Sequence, residues 1–348
     1  MARILYAVQG DGLGHATRAH SVGLGLLKRG HEVRFVSSLK GTRYLREHFP
    51  GLVTDIFGFK LAYEHGRIRR LKTISHVIRG MIGNVRPTLS RLRRVFRENQ
   101  PDLLITDAES FTPVVARSMQ VPFVSLDNQH LLTHCKIERP AGCTGDFLNA
   151  YAVVRLYHTG ARRYLVSSFF DVPIRHHPTT LVPPILREEV RAQKVEHGDY
   201  LLVYLGGSGE HDPMRRVLES FRGTPIRAYG FGITGEYGRV AYRAMSADAF
   251  LKDLAGCAGV VSSAGHTLIG ECLFFDKPML LVPFVRQFEQ RLNAHHVKRL
   301  GAGRYVERLT VGAMADFADR LDTYRAAMVD LPKPTLDPVL DAIERELP

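Results

Sequence analysis

The chain has 348 residues, which is long for one average domain and predicts two. Its composition, 45% hydrophobic and 24% charged, is that of a globular protein and excludes a disordered chain, a fibrous repeat and a disulfide-stapled miniprotein. The 47 Lys and Arg residues outnumber the 35 Asp and Glu residues, and this net charge of +12 favours an anionic partner such as a membrane surface, a nucleic acid or a phosphorylated ligand.

Short apolar segments alternate with helical segments along the chain, in two successive series. In the first series a helix is predicted at Thr17–Lys28, and strands are predicted at Arg3–Val8, Glu32–Ser37, Leu103–Thr106, Pro122–Leu126 and Tyr164–Phe169. In the second series strands are predicted at Tyr200–Leu205, Ile226–Tyr229, Val260–Ser263 and Met279–Val282. This alternation is typical of βαβ units, so we expect an α/β fold of two doubly wound, Rossmann-like domains facing a cleft.

A proline-rich segment separates the two series, with four prolines between Pro173 and Pro184. We therefore predict a first domain over residues 1–172, a linker over 173–190 and a second domain over 191–330. A C-terminal helix is expected within 331–348, and packing back on the first domain is one arrangement open to it. Ligands in such sheets bind beyond the carboxyl ends of the strands, so the residues that follow each strand are the candidates for function.

The first strand leads into a glycine-rich loop, Gly10-Asp11-Gly12-Leu13-Gly14-His15. A dinucleotide-binding fingerprint needs glycine where His15 stands, and the second strand ends without an acidic residue for a ribose, so NAD binding is disfavoured. A glycine turn before a helix offers backbone N–H groups to an anion or a developing oxyanion. The loop therefore predicts a functional imidazole at a helix mouth, and the alternative is that His15 merely caps the helix.

Two further predicted strands of the first domain end in polar residues. One is followed by Asp107 and Glu109. Either carboxylate, Asp107 in the first place, would orient the imidazole and stabilise its protonated form, unless it only caps a turn. The next strand is followed by Asp127, Asn128 and His130, which would line an acceptor pocket or serve as turn residues.

The second domain carries the densest set of candidate residues. A strand leads to Gly265, a helix begins near His266 and Thr267, and Glu271 follows one turn later. Small residues and a helix N-terminus favour a phosphate, and Glu271 can accept both hydroxyls of a ribose, unless it is an ordinary salt-bridge residue. Further candidates, for the same phosphates or for a sugar, are Gly206, Gly207, Ser208, Glu289 and Gln290.

This second-domain pattern resembles a known signature. The succession of a small glycine turn, Glu271, a Lys-Pro strand, Glu289-Gln290 and Asn293-Ala294 resembles the donor-binding signature of GT-B glycosyltransferases. It is similar to the signature of family 28, the group that contains MurG and the monogalactosyldiacylglycerol synthases. The Gly-His-Ala-Thr-Arg loop of this chain resembles the N-terminal Gly-Gly-His loop of the same family. The base and the sugar stay open, because plant-type relatives carry a Trp and this chain has none.

The resemblance implies a glycosyltransferase that moves a sugar from a nucleotide diphosphate, with UDP favoured, to an acceptor hydroxyl by single displacement with inversion. It implies that Gly265, His266 and Thr267 bind the pyrophosphate, that Glu271 binds the ribose, and that Glu289 and Gln290 hold the sugar hydroxyls. The catalytic group would be His15 with Asp107 or Glu109, and the acceptor side would comprise Gly12, Gly14, Asp127, Asn128 and His130. No Asp-x-Asp sequence occurs, so neither a metal ion nor a cofactor is expected.

A basic stretch, Arg67–Arg97, contains ten Lys and Arg residues and no acidic residue, and its apolar residues recur at helical spacing. Such a helix either lies on an anionic membrane or packs on the sheet with a solvated basic face. The resemblance implies that a lipid-linked acceptor is common in the family, whereas no nucleic-acid motif is present. The four cysteines lack C-x-x-C spacing and no apolar run approaches the ~20 residues that span a bilayer, so we expect a cytoplasmic protein, with peripheral membrane association open.

Two rival functions remain open on the sequence. One is a nucleotide-sugar 2-epimerase of the same fold, in which UDP is eliminated and added again. The other is a non-catalytic subunit that binds a sugar nucleotide or a membrane and recruits a partner enzyme. His15, Glu271 and Gln290 favour catalysis over recruitment.

Overall fold

The computed structural model describes residues 1–58, 63–64, 67–68, 70–157, 160–205 and 212–348. For residues 63–64, 67–68, 70–82, 156–157 and 212 it describes the backbone only. Gly206, Gly207 and Ser208, which were expected at the donor phosphates, lie outside the described residues. The side chains of the first half of the basic stretch lie outside them as well.

The strands in chain order are β1 (Arg3–Val8), β2 (Glu32–Ser37), β3 (Val53–Asp55), β4 (Tyr63–Glu64), β5 (Arg67–Ile68), β6 (Leu103–Asp107), β7 (Phe123–Asp127), β8 (Arg163–Ser167), β9 (Thr179–Val182), β10 (Leu201–Tyr204), β11 (Ile226–Tyr229), β12 (Gly235–Tyr237), β13 (Val240–Arg243), β14 (Gly259–Ser262), β15 (Met279–Leu281) and β16 (Gly303–Tyr305). The helices are α1 (Leu13–Lys28), α2 (Leu39–His48), α3 (Arg70–Asn99), α4 (Thr112–Ser118), α5 (Leu131–His134), α6 (Thr144–Tyr157), α7 (Glu188–Arg191), α8 (Asp212–Ser220), α9 (Ala247–Gly256), α10 (His266–Phe274), α11 (Phe288–Arg299), α12 (Val311–Ala318), α13 (Leu321–Ala326) and α14 (Asp337–Glu344).

Two seven-stranded sheets organise the described chain. The first has the order β3-β2-β1-β6-β7-β8-β9, and all its pairs are parallel. The second has the order β12-β13-β11-β10-β14-β15-β16 and is parallel except for the edge pair β12 and β13. The predicted α/β fold of two doubly wound domains is therefore confirmed.

The central strands are mostly apolar, as expected of parallel strands that are buried on both faces. In β1, Ile4, Tyr6 and Val8 contribute to the core on one face. Leu5 and Ala7 contribute to the core on the other face. Since β1 lies between β2 and β6 and Val8 is in register with Asp107, the loop after β1 and the end of β6 adjoin at the carboxyl edge.

The structure differs from the sequence prediction at two boundaries that matter for the site. The helix α1 begins at Leu13, four residues before the predicted start, so His15 lies in its first turn. The strand β9 falls within the predicted linker and pairs with β8 in the first sheet, with Leu165 in register with Thr180. The connection between the sheets therefore begins after Val182.

The C-terminal helix α14 packs on α1 of the first domain. Its buried side chains, among them Leu340 and Ile343, join the core beneath α1. Arg29, the C-cap residue of α1, forms ion pairs with Asp337 and Asp341, at 2.7 and 2.6 Å. The chain thus passes from the first sheet to the second and then returns. Among the described residues, no helix combines the length and apolar character that crossing a membrane requires.

Candidate active site

The glycine loop after β1 is held close to α2. A Cβ atom on Gly10 would lie 1.7 Å from the Ser38 carbonyl oxygen, so this position accepts only glycine. The N–H of Gly41 donates to the Gly10 carbonyl at 3.0 Å. A Cβ on Gly14 would lie 3.2 Å from Thr267 Oγ1, which shows that the first turn of α1 meets the start of α10 across the cleft.

His15 and Asp107 form the pair that the sequence predicted. His15 Nδ1 lies 2.8 Å from Asp107 Oδ1, and the aspartate is fully buried at the end of β6. Because an ionised carboxylate only accepts hydrogen bonds, the contact with Asp107 favours the proton on Nδ1 and the lone pair on Nε2, although Arg18 Nη2 also lies 3.0 Å from Nδ1. Within the described part of the chain Nε2 has no partner, and the His15 side chain is 22% exposed. This is the geometry of an oriented imidazole base.

A buried arginine, Arg18, completes this pair and was missed by the sequence reasoning. Its Nε and Nη2 donate to the two oxygens of Asp107, at 2.8 and 2.6 Å, and its Nη1 lies 3.4 Å from Asn128 Oδ1. Burial alone would raise the pKa of Asp107, but Arg18 and His15 lower it below its ordinary value. One signal was available, because Arg18 follows His15 by three residues and therefore shares its helix face.

Glu109 does not reach the site. It is buried, and its carboxylate accepts the N–H groups of Phe111 and Thr112 at 2.8 and 2.6 Å, together with the Thr112 hydroxyl. Burial raises its pKa, although these hydrogen bonds oppose the shift. Glu109 therefore caps the start of α4. The prediction that Glu109 is a second candidate for the catalytic carboxylate is corrected accordingly.

Of the three polar residues at the end of β7, Asn128 makes a hydrogen bond across the cleft. Asp127 and His130 are bonded to each other, with Nδ1 2.8 Å from Oδ2, and the Ser125 hydroxyl donates to the same carboxylate at 2.6 Å. Asp127 and His130 are 1% and 2% exposed, so they stabilise the turn and do not line an acceptor pocket. Asn128 Nδ2 donates to Glu289 Oε1 of α11 at 2.9 Å, which links the two domains.

The start of α10 lies close to the first turn of α1 in the first domain. Gly265 is the N-cap residue of α10, and it has no side chain with which to cap the helix. Burial, with the nearby Arg18 cation, lowers the pKa of His266 to about 3, although the Ser167 backbone opposes the shift. The ring is therefore neutral, and a phosphate at this place would meet the backbone N–H groups of the first turn and not an imidazolium.

Glu271 lies in α10 as predicted, but it already has a partner. Its Oε1 accepts from Nε and Nη2 of Arg187 at 3.1 and 2.7 Å. The carboxylate is 2% exposed, and burial raises its pKa while Arg187 opposes the shift. No sequence signal predicted Arg187, which is 84 residues away in the linker.

The two predicted sugar-binding residues sit at the start of α11. Gln290 Oε1 accepts from the Phe284 N–H at 2.8 Å, which closes the loop before the helix. Glu289 faces Asn128 as described. Asn293, whose Nδ2 donates to the Ala264 carbonyl at 3.1 Å, fixes the turn before α10, where Ala264 has a φ of +66°. Among the described residues, no group of three or more His, Cys, Asp and Glu side chains is arranged to hold a metal ion.

Comparisons with known proteins agree on the class. The structure of the glycosyltransferase of kitacinnamycin superposes with a TM-score of 0.66 at 18% identity, covering 100% of this chain and 99% of the other. That of the calicheamicin glycosyltransferase CalG4 has a TM-score of 0.66 at 17% identity, covering 99% and 98%. That of Phytolacca americana UGT2 has a TM-score of 0.67 at 17% identity, covering 95% and 93%.

In sequence, the chain is 24% identical to an uncharacterised glycosyltransferase of Methanosarcina mazei over 88% of this chain and 87% of the other. The GT-B fold and the assignment as a glycosyltransferase are confirmed, while the more specific resemblance to family 28 is not. The sequence model of glycosyl transferase family 1 matches residues 2–322, and the chain therefore belongs to that family.

Proposed function

We propose that the enzyme transfers a sugar from a UDP-sugar to an acceptor hydroxyl bound by the first domain. The transfer inverts the configuration at the anomeric carbon and needs no metal ion. The observation that carries the proposal is the His15–Asp107 pair, which follows Gly14 at the place where the first turn of α1 meets the start of α10. A base on one domain thus adjoins a phosphate-binding helix N-terminus on the other.

In the proposed reaction, His15 Nε2 takes the proton of the acceptor hydroxyl as its oxygen attacks the anomeric carbon. The bond from that carbon to the UDP oxygen breaks on the opposite face, and UDP leaves with the electron pair. Asp107 stabilises the imidazolium through Nδ1–H. The backbone N–H groups and the dipole of α10 offset the charge on UDP, consistent with the lack of any Asp-x-Asp sequence.

The choice of a pyrimidine nucleotide draws on two structural neighbours. The Phytolacca americana enzyme was solved in complex with UDP-2-fluoroglucose and pterostilbene. The glycosyltransferase VinC was solved in complex with DTDP. In this chain Glu271 is the proposed partner of the ribose, and Glu289 and Gln290 are the proposed partners of the sugar.

We further propose that the acceptor is lipid-linked and that the enzyme works in the cytoplasm, at the membrane face. The support is the second half of α3, where Arg86, Arg91, Arg93, Arg94 and Arg97 are all exposed. A cluster of this kind attracts anionic lipid headgroups.

The test of the catalytic proposal is incubation of the wild-type protein with a panel of UDP-sugars in EDTA, with lipid and soluble extracts as acceptors. We expect UDP release that rises when the right acceptor is present and a glycosylated product. Conversion of one UDP-sugar to another would establish the epimerase instead. Binding without any turnover would establish a recruitment subunit.

A further inference from the structure

The linker carries a side chain that reaches into the proposed donor site. Arg187 is the N-cap residue of α7, in the connection between the two sheets. Its guanidinium donates twice to Glu271 Oε1, and the two side chains are only 15% and 3% exposed. Within the described residues no hydrogen bond reaches Glu271 Oε2. One carboxylate oxygen is thus held by the linker and the other remains for a ligand.

The contact between the linker and α10 is tight. A Cβ atom on Gly270 would lie 2.9 Å from Pro184 Cβ and 3.4 Å from Leu186 Cδ2, so a side chain there would push the linker away. Because Gly270 precedes Glu271, this packing holds the linker against the part of α10 that carries the carboxylate. The ion pair is therefore formed by two largely buried side chains on segments that pack together, and not by two exposed side chains.

The charge of Glu271 depends on this arginine. Burial raises the pKa of the carboxyl, and Arg187 opposes the shift. Among the residues that the structure describes, the other titratable groups that interact with Glu271 are Tyr204 at the end of β10 and Cys272, and the pKa values of both are raised, so both are neutral near neutral pH. Of these neighbours, only Arg187 carries charge at the pH at which the enzyme would work.

We propose that Arg187 is a positioning residue for the nucleotide: from the linker it keeps Glu271 ionised and leaves Oε2 directed to the ribose hydroxyls. This inference rests on the proposed donor site. An ionised carboxylate accepts from both hydroxyls, whereas a protonated one loses an acceptor site. Removing Arg187 raises the pKa of Glu271 further, so recognition of the ribose is lost as the pH falls through that higher value.

The experiment compares the affinities of UDP and 2′-deoxyUDP by calorimetry, between about pH 5 and 9, a window that covers a raised carboxyl pKa. The ratio of the two affinities reports the ribose contact, and the titration of the phosphates cancels in it. The proteins are wild type, Arg187→Gln, Arg187→Lys and Glu271→Gln. Arg191→Gln is the matched control, because Arg191 lies on α7 and contacts the Pro334 carbonyl, not Glu271. Thermal unfolding of each variant verifies that it is folded.

We expect wild type and Arg191→Gln to favour UDP by about tenfold or more, as for a hydrogen bond to a charged group. In Arg187→Gln the preference should vanish at acid pH and return in part at alkaline pH, and Arg187→Lys should restore it. A preference that is unchanged, or reduced equally at all pH values, in folded Arg187→Gln would overturn the inference alone. If Glu271→Gln keeps the full preference, or wild type does not bind UDP, the proposed donor site fails as well.

Discussion

His15 is the side chain on which the proposed chemistry depends. We predict that His15→Ala lowers kcat by about 10²–10⁴-fold, the range of a positioned general base. The affinity for UDP should stay near the wild-type value, because UDP is proposed to bind the other domain. The measurement is the transfer rate against pH for wild type and for the variant. A variant with normal kcat and an unchanged profile would remove His15 from the mechanism.

Asp107 serves stability as well as orientation, because it neutralises the buried Arg18. We predict that Asp107→Asn lowers the free energy of unfolding by about 3–5 kcal/mol, the cost of leaving a buried charge unpaired. The folded-state pKa of Asp107 is depressed, so its contribution is fully present above the unfolded pKa of ~3.9 and is lost as the pH falls through the folded value. Chemical unfolding at pH 7 and at successively lower pH measures this.

The difference in the free energy of unfolding between wild type and Asp107→Asn should become smaller as the pH is lowered. A substitution that costs nothing at pH 7 would mean that Arg18 finds another partner or water. Asp107→Glu, which keeps the charge, should cost less than Asp107→Asn.

Which residues of the site could be predicted from the sequence depends on the order of the strands in the first sheet. His15 and Asp107 were paired from sequence because they follow strands that can be neighbours, and β1 and β6 are neighbours. Asp127 and Glu109 also follow strands, but strand position alone does not distinguish a side chain that enters the cleft from one that turns back on its own backbone. The contact of Arg187 with Glu271 could not be predicted from the sequence, because it depends on how the linker packs on α10.

At the scale of elements, most of the interior strands were predictable, and the edge strands β3, β9, β12 and β16 were not. The β1 and β2 bounds agree with the sequence pattern: β1 is an apolar run after Arg3, as in a strand buried on both faces, whereas β2 has Glu32 and Arg34 exposed among its apolar residues. β3 and β16 have three residues each and were missed. β9 was hidden in a proline-rich segment that the sequence predicted as linker.

The helix α3 makes a specific membrane prediction. Leu92, Val95 and Phe96 are buried in the core of the first domain, so this half of the helix offers charge and not apolar residues to a membrane. We predict that the protein binds anionic vesicles and is released by salt, since each basic residue contributes on the order of 1 kcal/mol and screening weakens it. Sedimentation with vesicles of anionic and of neutral lipid at low and high salt measures this.

The variant for this prediction is the triple change of Arg86, Arg93 and Arg94 to Glu, which should release the protein at unchanged thermal stability. In the control variant, three exposed arginines of the second domain, Arg239, Arg308 and Arg320, are changed to Glu. This alters the net charge by the same amount. Equal loss in both would mean that only net charge matters. Absence of wild-type binding at low salt would leave the basic face as solvated surface.

At the scale of the whole molecule, the first domain is completed by the last helix of the chain. We predict that Leu340→Ala lowers the free energy of unfolding by about 2–5 kcal/mol, because Leu340 is 3% exposed within the core beneath α1. The control is Val329→Ala, a residue 66% exposed in the same C-terminal region, which should change stability by less than about 0.5 kcal/mol. Urea denaturation of both variants measures the difference, and equal effects would contradict the packing of α14.

The return of α14 also makes the second domain a topological insertion. Met1 precedes β1, and the C-terminal helix meets the same domain, where His31 Nε2 lies 2.9 Å from Glu344 Oε1. The chain enters the second domain after Val182 and leaves it before α14, so both connections join the second domain to the first domain. We therefore expect that the half proposed to bind the nucleotide can be exchanged at these two junctions with its counterpart from a relative of different donor preference, while the half proposed to bind the acceptor retains its core.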